Sequence, residues 1–277
     1  MAKKKSLKVR SVWISDVHLG FRGCQAEALL HFLHSVETEY LFLVGDIVDF
    51  WSLRKTPYWP QLHTNVIRSI LGKAKHGTKV IYIPGNHDEV MRDCVGHVFG
   101  NLEIHRDYLH TTADGKKLLV LHGDEFDVVV KHSRMLAKLG SWAYDKLLGL
   151  NYYVNSFRRL FRFSYWSLAA CLKHKVKNAV SYIGSFEDAL ARLAMERQLD
   201  GVVCGHIHHA EVRRMGDVLY CNDGDWVESC STLLEHKDGR LELRFWAGEF
   251  EAFRLEELAQ QDAGIVDGTP QPQKKAA

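Results

Sequence analysis

Five short clusters of polar residues hold the chemistry open to this chain. They are Ser15-Asp16-Val17-His18, Gly45-Asp46-Ile47-Val48-Asp49, Gly85-Asn86-His87-Asp88, His122-Gly123-Asp124 and Gly205-His206-Ile207-His208. Carboxylate and amide oxygens with imidazole nitrogens, and no thiolate, suit a divalent Mn, Fe or Zn ion better than a soft one. Asp16 and His18 are two apart, as are His206 and His208, so at an extended strand end each pair points to one side. Glycines 45, 85, 123 and 205 let the backbone turn sharply and approach a site closely. A donor set of this kind, with room for water, fits a hydrolytic centre of two ions about 3.5–4 Å apart that clamps the attacking and leaving oxygens. Singly, each cluster has a plainer explanation. Asp-x-His is an ordinary turn, and Asn86-His87-Asp88 serves equally well as the N-cap of a following helix. Capping does not account for all five together, each after an apolar run.

Those runs are the elements that must position the clusters. Strands are expected at Val9–Ser15, Tyr40–Val44, Lys79–Pro84, Leu118–His122, Gly201–Cys204 and Val218–Cys221, with helices at 25–38, 61–76 and 89–98. Strand–helix alternation predicts an α/β sheet. In open α/β sheets, sites form just beyond the carboxyl ends of strands, so the clusters can meet at one edge. A late hairpin is expected from Ser231–Glu235 and Leu241–Trp246, turned at Lys237-Asp238-Gly239. Asp223-Gly224-Asp225-Trp226 either buttresses the same edge or is a simple turn.

Composition narrows the class. In 277 residues, 46% are hydrophobic and 25% charged, as in a globular body. Thirty-six Lys and Arg against 34 Asp and Glu exclude a whole-surface polyelectrolyte. No apolar run approaches the ~20 residues a membrane span needs. The basic start, Met1-Ala2-Lys3-Lys4-Lys5, has no apolar stretch after it, so secretion is not expected. Six scattered cysteines without a Cys-x-x-Cys pair argue against a zinc knuckle and for a reducing, cytoplasmic compartment. Charge is uneven, however. Val128 to Phe186 holds ten Lys and Arg, one acid (Asp145) and eleven aromatics. Phe157, Leu160 and Phe161 fall at helical spacing beside Arg158, Arg159 and Arg162, so 128–186 reads as a helical, basic and aromatic insert. Its aromatics either pack the helices onto the body or line an acyl cavity. Its bases either form a solvated face or meet phosphates, an anionic membrane surface or nucleic acid. Residues 260–277 are expected to be a disordered tail.

The order Asp-x-His, Gly-Asp-x-x-Asp, Gly-Asn-His-Asp, His-Gly-Asp, Gly-His-x-His resembles the calcineurin-like metallophosphoesterase superfamily, in one domain spanning 9–250. The resemblance implies an α/β fold of two stacked mixed β-sheets flanked by helices. It implies two divalent ions, Mn²⁺ foremost, with Fe or Zn as alternatives. Asp16, His18, Asp46 and His208 would hold one, Asp46, Asn86, His122 and His206 the other, with Asp46 bridging. His87 would donate to the leaving oxygen or the transition state, Asp88 would orient His87, and Asp49 would support the Asp46 loop. Within the superfamily the chain is similar to the UDP-2,3-diacylglucosamine hydrolase group of lipid A biosynthesis. The motifs are Ser-Asp-Val-His-Leu-Gly (15–20), Gly-Asp-Ile-Val-Asp-Phe-Trp (45–51), Gly-His-Ile-His-His-Ala (205–210) and Asn-Asp-Gly-Asp-Trp-Val-Glu (222–228). That similarity implies a cytoplasmic, membrane-peripheral enzyme cleaving a lipid-linked nucleotide sugar to UMP and 2,3-diacylglucosamine 1-phosphate. The insert would then be a lid over acyl chains, with Arg158, Arg162 and Lys177 as substrate-binding residues. One departure stands out: the best-known members of that group have Arg where this chain has His87. It leaves open another nucleotide, a nucleic acid or a phosphoprotein as substrate. A non-enzymatic scaffold is disfavoured, because all seven metal-ligand positions and His87 are intact.

Overall fold

The computed structural model describes residues 6–127 and 168–255, with side chains described for 6–127 and 182–255. Three parallel strands form the centre of the first sheet: β1 (Leu7–Ile14), β2 (Val36–Val44) and β3 (Lys79–Ile83). Its edges are β4 (Val98–Phe99) and β5 (Leu102–Ile104) on one side, β11 (Ser231–Glu235) and β12 (Leu241–Phe245) on the other, in the order β12-β11-β1-β2-β3-β5-β4. The second sheet has the order β6-β7-β8-β10-β9. It is built from β6 (Tyr108–Thr111), β7 (Lys117–Val120), β8 (Gly201–Cys204), β9 (Glu211–Met215) and β10 (Val218–Asn222). Both sheets are mixed: β7, β8 and β10 run parallel while β6 and β9 are antiparallel to their neighbours.

The period-2 alternation of each strand sorts its side chains into layers. Trp13, Phe42, Val44, Ile81 and Ile83 from the first sheet meet Leu118, Val120, Val203 and Cys221 from the second in one inter-sheet core. Their neighbours Val12, Ile14, Leu41, Leu43, Val80 and Tyr82 face the opposite way, toward α1 (Ala26–Ser35) and α3 (Gln61–Lys75). Leu119, Leu121, Val202, Cys204 and Tyr220 face away from the first sheet, under Phe186, Leu190 and Ala194 of α4 (Leu168–Glu196). Strands buried on both faces explain the nearly continuous apolar runs in the sequence.

Several expectations need adjustment. The helix expected to 38 ends at Ser35, and Val36 to Thr38 instead extend β2 in register with Leu7 to Val9 of β1. The expected helix 89–98 is a 3₁₀ segment, Glu89–Cys94, followed by β4. It buries no side chain fully, and only Met91 and Cys94 rest against the core, too little apolar face to hold a longer helix in place. A short helix, α2 (Phe50–Lys55), and the strands β4, β5, β6 and β9 were not foreseen. The expected hairpin β11–β12 forms, with Ser231 opposite Phe245, Glu235 opposite Leu241 and Gly239 at φ +84° in its turn. In the 128–186 stretch, 168–186 belongs to α4, whose Phe186 end packs into the body. Residues 128–167 and 260–277 lie outside the described residues. Among the described residues no helix is long and apolar enough to cross a membrane.

Candidate metal centre

All five polar clusters lie where a strand stops: after Ile14, Val44, Ile83, Val120 and Cys204. The backbone there is not extended. Asp16, His18, Asp46, His206 and His208 have φ of +50°, +54°, +54°, +70° and +51°. Residues with side chains rarely adopt such angles, and five at one edge mark strain held at a functional site. The strand ends hold one another there. Asp16 N–H donates to Gly45 O (3.1 Å), His18 N–H to Asp46 O (2.9 Å) and His206 N–H to Asp16 Oδ2 (2.8 Å). The Asp16/His18 and His206/His208 pairs therefore reach the site through left-handed turns, not through the two-residue period of a strand.

The side chains converge. One atom each from Asp16, His18 and His208 lie within 4.8 Å of one another, as do those from Asp46, His122 and His206. Asp46 stands between the two groups: its Oδ2 is 3.9 Å from His18 Nε2 and 3.5 Å from His122 Nε2. Asn86, His18, Asp46, His87, His206 and His208 line one cavity of about 400 Å³. A Cβ on Gly85 would collide with Asp46 Oδ1 and His122, and one on Gly205 would come within 2.5 Å of Asp16 Oδ2. Glycine is thus required at both positions by close approach.

The donor set fits divalent cations. His18 Nε2, Asn86 Oδ1 and His122 Nε2 are buried without a hydrogen-bond partner, although such groups are nearly always paired, and Asp16 Oδ1 faces only His208 Nε2 at 3.1 Å. One nitrogen of three of the four imidazoles is tied down. His122 Nδ1 lies 2.8 Å from Val44 O, and His18 Nδ1 lies 3.3 Å from Asp49 Oδ2. His206 Nε2 lies 2.9 Å from Asp127 Oδ1. An acceptor on one ring nitrogen fixes the tautomer and frees the other for a cation. Burial opposes ionisation of Asp16 and Asp46, yet the surrounding imidazoles outweigh it and hold both carboxyls below the ordinary range. Beneath this edge, Ser15 Oγ is 2.6 Å from Asp16 Oδ2 and 2.7 Å from Asp223 Oδ1, and Trp226 N–H donates to Asp16 O. The 223–226 segment is a buttress as well as a turn.

The structure reassigns two carboxylates. No hydrogen bond joins the Asp88 carboxylate to the His87 ring among the described residues. It accepts from Gly85 N–H (2.6 Å), Ile47 N–H (2.8 Å) and Tyr82 OH (2.5 Å), locking the turn after β3 to the turn after β2. The carboxylate at His87 is Asp49, 3.0 Å from Nδ1. Asp49 also N-caps α2 through Ser52 N–H (2.7 Å). Burial opposes its ionisation, but His18, His87 and Ser52 hold its carboxyl far below the usual range. Trp51 covers His87, with ring centroids 4.2 Å apart, and is 40% exposed. Neither the N-cap role of Asp49 nor its contact with His87, contributed by another loop, was read from the sequence. Asp127 carried no sequence signal. Arg158 and Arg162, expected to bind substrate, lie outside the described residues, as does the side chain of Lys177.

Two stacked mixed sheets, with carboxylates and imidazoles gathered at their carboxyl edge, define a metallophosphoesterase. The family model for calcineurin-like phosphoesterases matches residues 9–210, and the chain belongs to that family. Its curated relatives include a UDP-2,3-diacylglucosamine hydrolase of Aliivibrio fischeri, 23% identical over 82% of this chain and 94% of the relative. Another, from Blochmanniella pennsylvanica, is 28% identical over 41% of this chain and only 46% of the relative. Among solved structures, the Escherichia coli phosphoesterase YfcE is 13% identical, with a TM-score of 0.40 over 85% of this chain and 98% of that one. The family is one of divalent-metal enzymes, and the clusters above are the candidate sites for the metals.

Proposed function

We propose that this protein hydrolyses the pyrophosphate of UDP-2,3-diacylglucosamine, releasing UMP and 2,3-diacylglucosamine 1-phosphate. The observation that carries this reading is the named activity of relatives aligned along most of the chain, at 23% identity, together with the convergent donor set. Asp16, His18, Asp46 and His208 would hold one cation, and Asp46, Asn86, His122 and His206 the other. Such cations acidify water and neutralise phosphoryl charge. His87, half-buried at the cavity, would offer Nε2–H to the leaving oxygen, with Asp49 Oδ1 3.0 Å from its Nδ1. Burial works against the protonated form of His87, but Asp49 and the neighbouring Asp46 and Asp16 outweigh it, which suits a proton donor. Trp51 limits where its ring can turn.

Arg158, Arg162 and Lys177, in the basic and aromatic stretch, would meet the substrate's phosphates, and their aromatic neighbours its acyl chains. Such a substrate places the enzyme at the cytoplasmic face of a membrane. The test is product identification by mass spectrometry after incubating metal-stripped protein, with and without added Mn²⁺, on the lipid nucleotide, on single-stranded DNA and on a chromogenic phosphodiester. UMP and the diacylated sugar phosphate, formed only with metal, are expected. A strong preference for DNA, or turnover indifferent to metal, would overturn the assignment.

A further inference from the structure

We propose that Asp127 is a positioning residue of the metal centre and that Tyr182, on α4, holds it in place, so that metal affinity depends on how α4 is seated on the body. The proposal rests on His206 holding a cation, as in the function proposed above. His206 Nε2–H donates to Asp127 Oδ1 over 2.9 Å, and Tyr182 OH donates to the same oxygen over 2.8 Å. Asp127 and His206 are both buried, at 5% and 8% exposure. A carboxylate facing Nε2 requires the proton on that nitrogen, which leaves the Nδ1 lone pair of His206 for a cation. The other buried imidazoles of the site are oriented from within the strand-end turns, by Val44 O and by Asp49. His206 alone among these three is oriented from outside them, by the last described residue before 128–167.

The partner of that carboxylate arrives from the far side of the same stretch. Tyr182 lies 55 residues after Asp127, on a helix whose Phe186, Leu190 and Ala194 pack on the second sheet. Phe186 also lies against the site itself. Its ring centroid is 6.0 Å from that of His206, and a Cβ on Gly123 would press against it at 2.7 Å. The same helix thus touches His206 twice, through Phe186 directly and through Tyr182 and Asp127. Linkage then runs both ways: a cation that needs this imidazole geometry also favours the docked helix.

The test uses the full chain, stripped of metal, with Mn²⁺ alone as probe. Calorimetric titration of Asp127→Ala should show one of two Mn²⁺ ions bound about 10–100-fold more weakly than in wild type. Asp127→Asn, which keeps an acceptor without the charge, should recover part of the loss. Tyr182→Phe should weaken the same ion about three- to tenfold. In hydrogen exchange, Mn²⁺ should raise protection of residues 182–196 in wild type and not in Asp127→Ala. A merely structural Asp127 would lower the melting temperature without moving Mn²⁺ affinity, and unchanged affinity in both Asp127→Ala and Tyr182→Phe would overturn the proposal. Wild type that binds two ions but spares the lipid nucleotide would sink only the substrate reading. Wild type that binds no Mn²⁺ would sink both.

Discussion

Asp49 and Asp88 separate two jobs that adjacent motif residues can hide. Asp49 faces His87 and His18, while Asp88 accepts backbone N–H groups from Gly85 and Ile47. Replacing Asp49 by Asn should therefore lower kcat about 10²–10⁴-fold, the range for a lost general acid, with KM little changed and the melting temperature nearly kept. Replacing Asp88 by Ala leaves several buried donors unpaired and should cost about 2–4 kcal/mol of stability, read by denaturant titration. Its carboxyl is already pushed upward by burial and by the charge of Asp46, so Asp88→Asn should be the milder change. Equal loss of stability in Asp49→Asn and Asp88→Ala would refute this division. Asp46, shared between the two groups of donors, is the most sensitive position. Asp46→Ala should lower turnover by at least about 10³-fold and reduce bound Mn²⁺ in the same preparation.

Among the elements, the turns after β1, β2, β3 and β8 matter more than the strands. Left-handed residues at the ends of β1, β2 and β8 are costly, and they persist because neighbouring strand ends hydrogen-bond across them. The turn after β3 is governed instead by space. A methyl at Gly85 meets Asp46 and His122 on a crowded edge, so Gly85→Ala should displace the carboxylate that both cation positions share. The expected outcome is a folded protein, with the far-ultraviolet circular dichroism of wild type, that has lost most of its Mn²⁺ affinity. Wild-type affinity in this variant would show that the turn yields more easily than its contacts imply.

Across the whole molecule, the two sheets are joined by a buried polar knot as well as by the apolar core. Glu235 on β11 accepts from Arg10 (2.6 Å), Ser11 Oγ (2.5 Å) and Ala113 N–H (2.7 Å), and lies 2.8 Å from His110 Nε2 on β6. Burial pushes its carboxyl up, but His110, Ser11, the Ala113 amide and Arg10 outweigh that and bring it down to about 2. The folded-state value is below the unfolded one, so the stabilisation is fully present above about pH 4.5 and disappears as pH falls through about 2. Glu235→Gln should cost about 3 kcal/mol at neutral pH. It should also flatten the fall in stability between pH 5 and 2, measured by denaturant midpoints across that range. An unchanged slope would mean that other carboxylates govern acid unfolding.

Apolar runs and the glycine-flanked His, Asp and Asn clusters after them were sufficient to place eight of the twelve described strands, missing β4, β5, β6 and β9, and to point to the edge where Asp16, His18, Asp46, His122, His206 and His208 meet, because both are local properties of the chain. The same locality explains the misjudged pieces. The end of α1 was decided by pairing of Val36 to Thr38 with β1, and the failure of 89–98 to form a longer helix by how little of it, Met91 and Cys94, rests on the core before β4 begins. Which carboxylate meets His87, and that Asp127 meets His206, depended on loops brought together from distant parts of the chain. Spacing along a polypeptide reports which residues share a strand or a turn. Contacts across a sheet edge are set by register, twist and packing, and those exist only in the folded molecule.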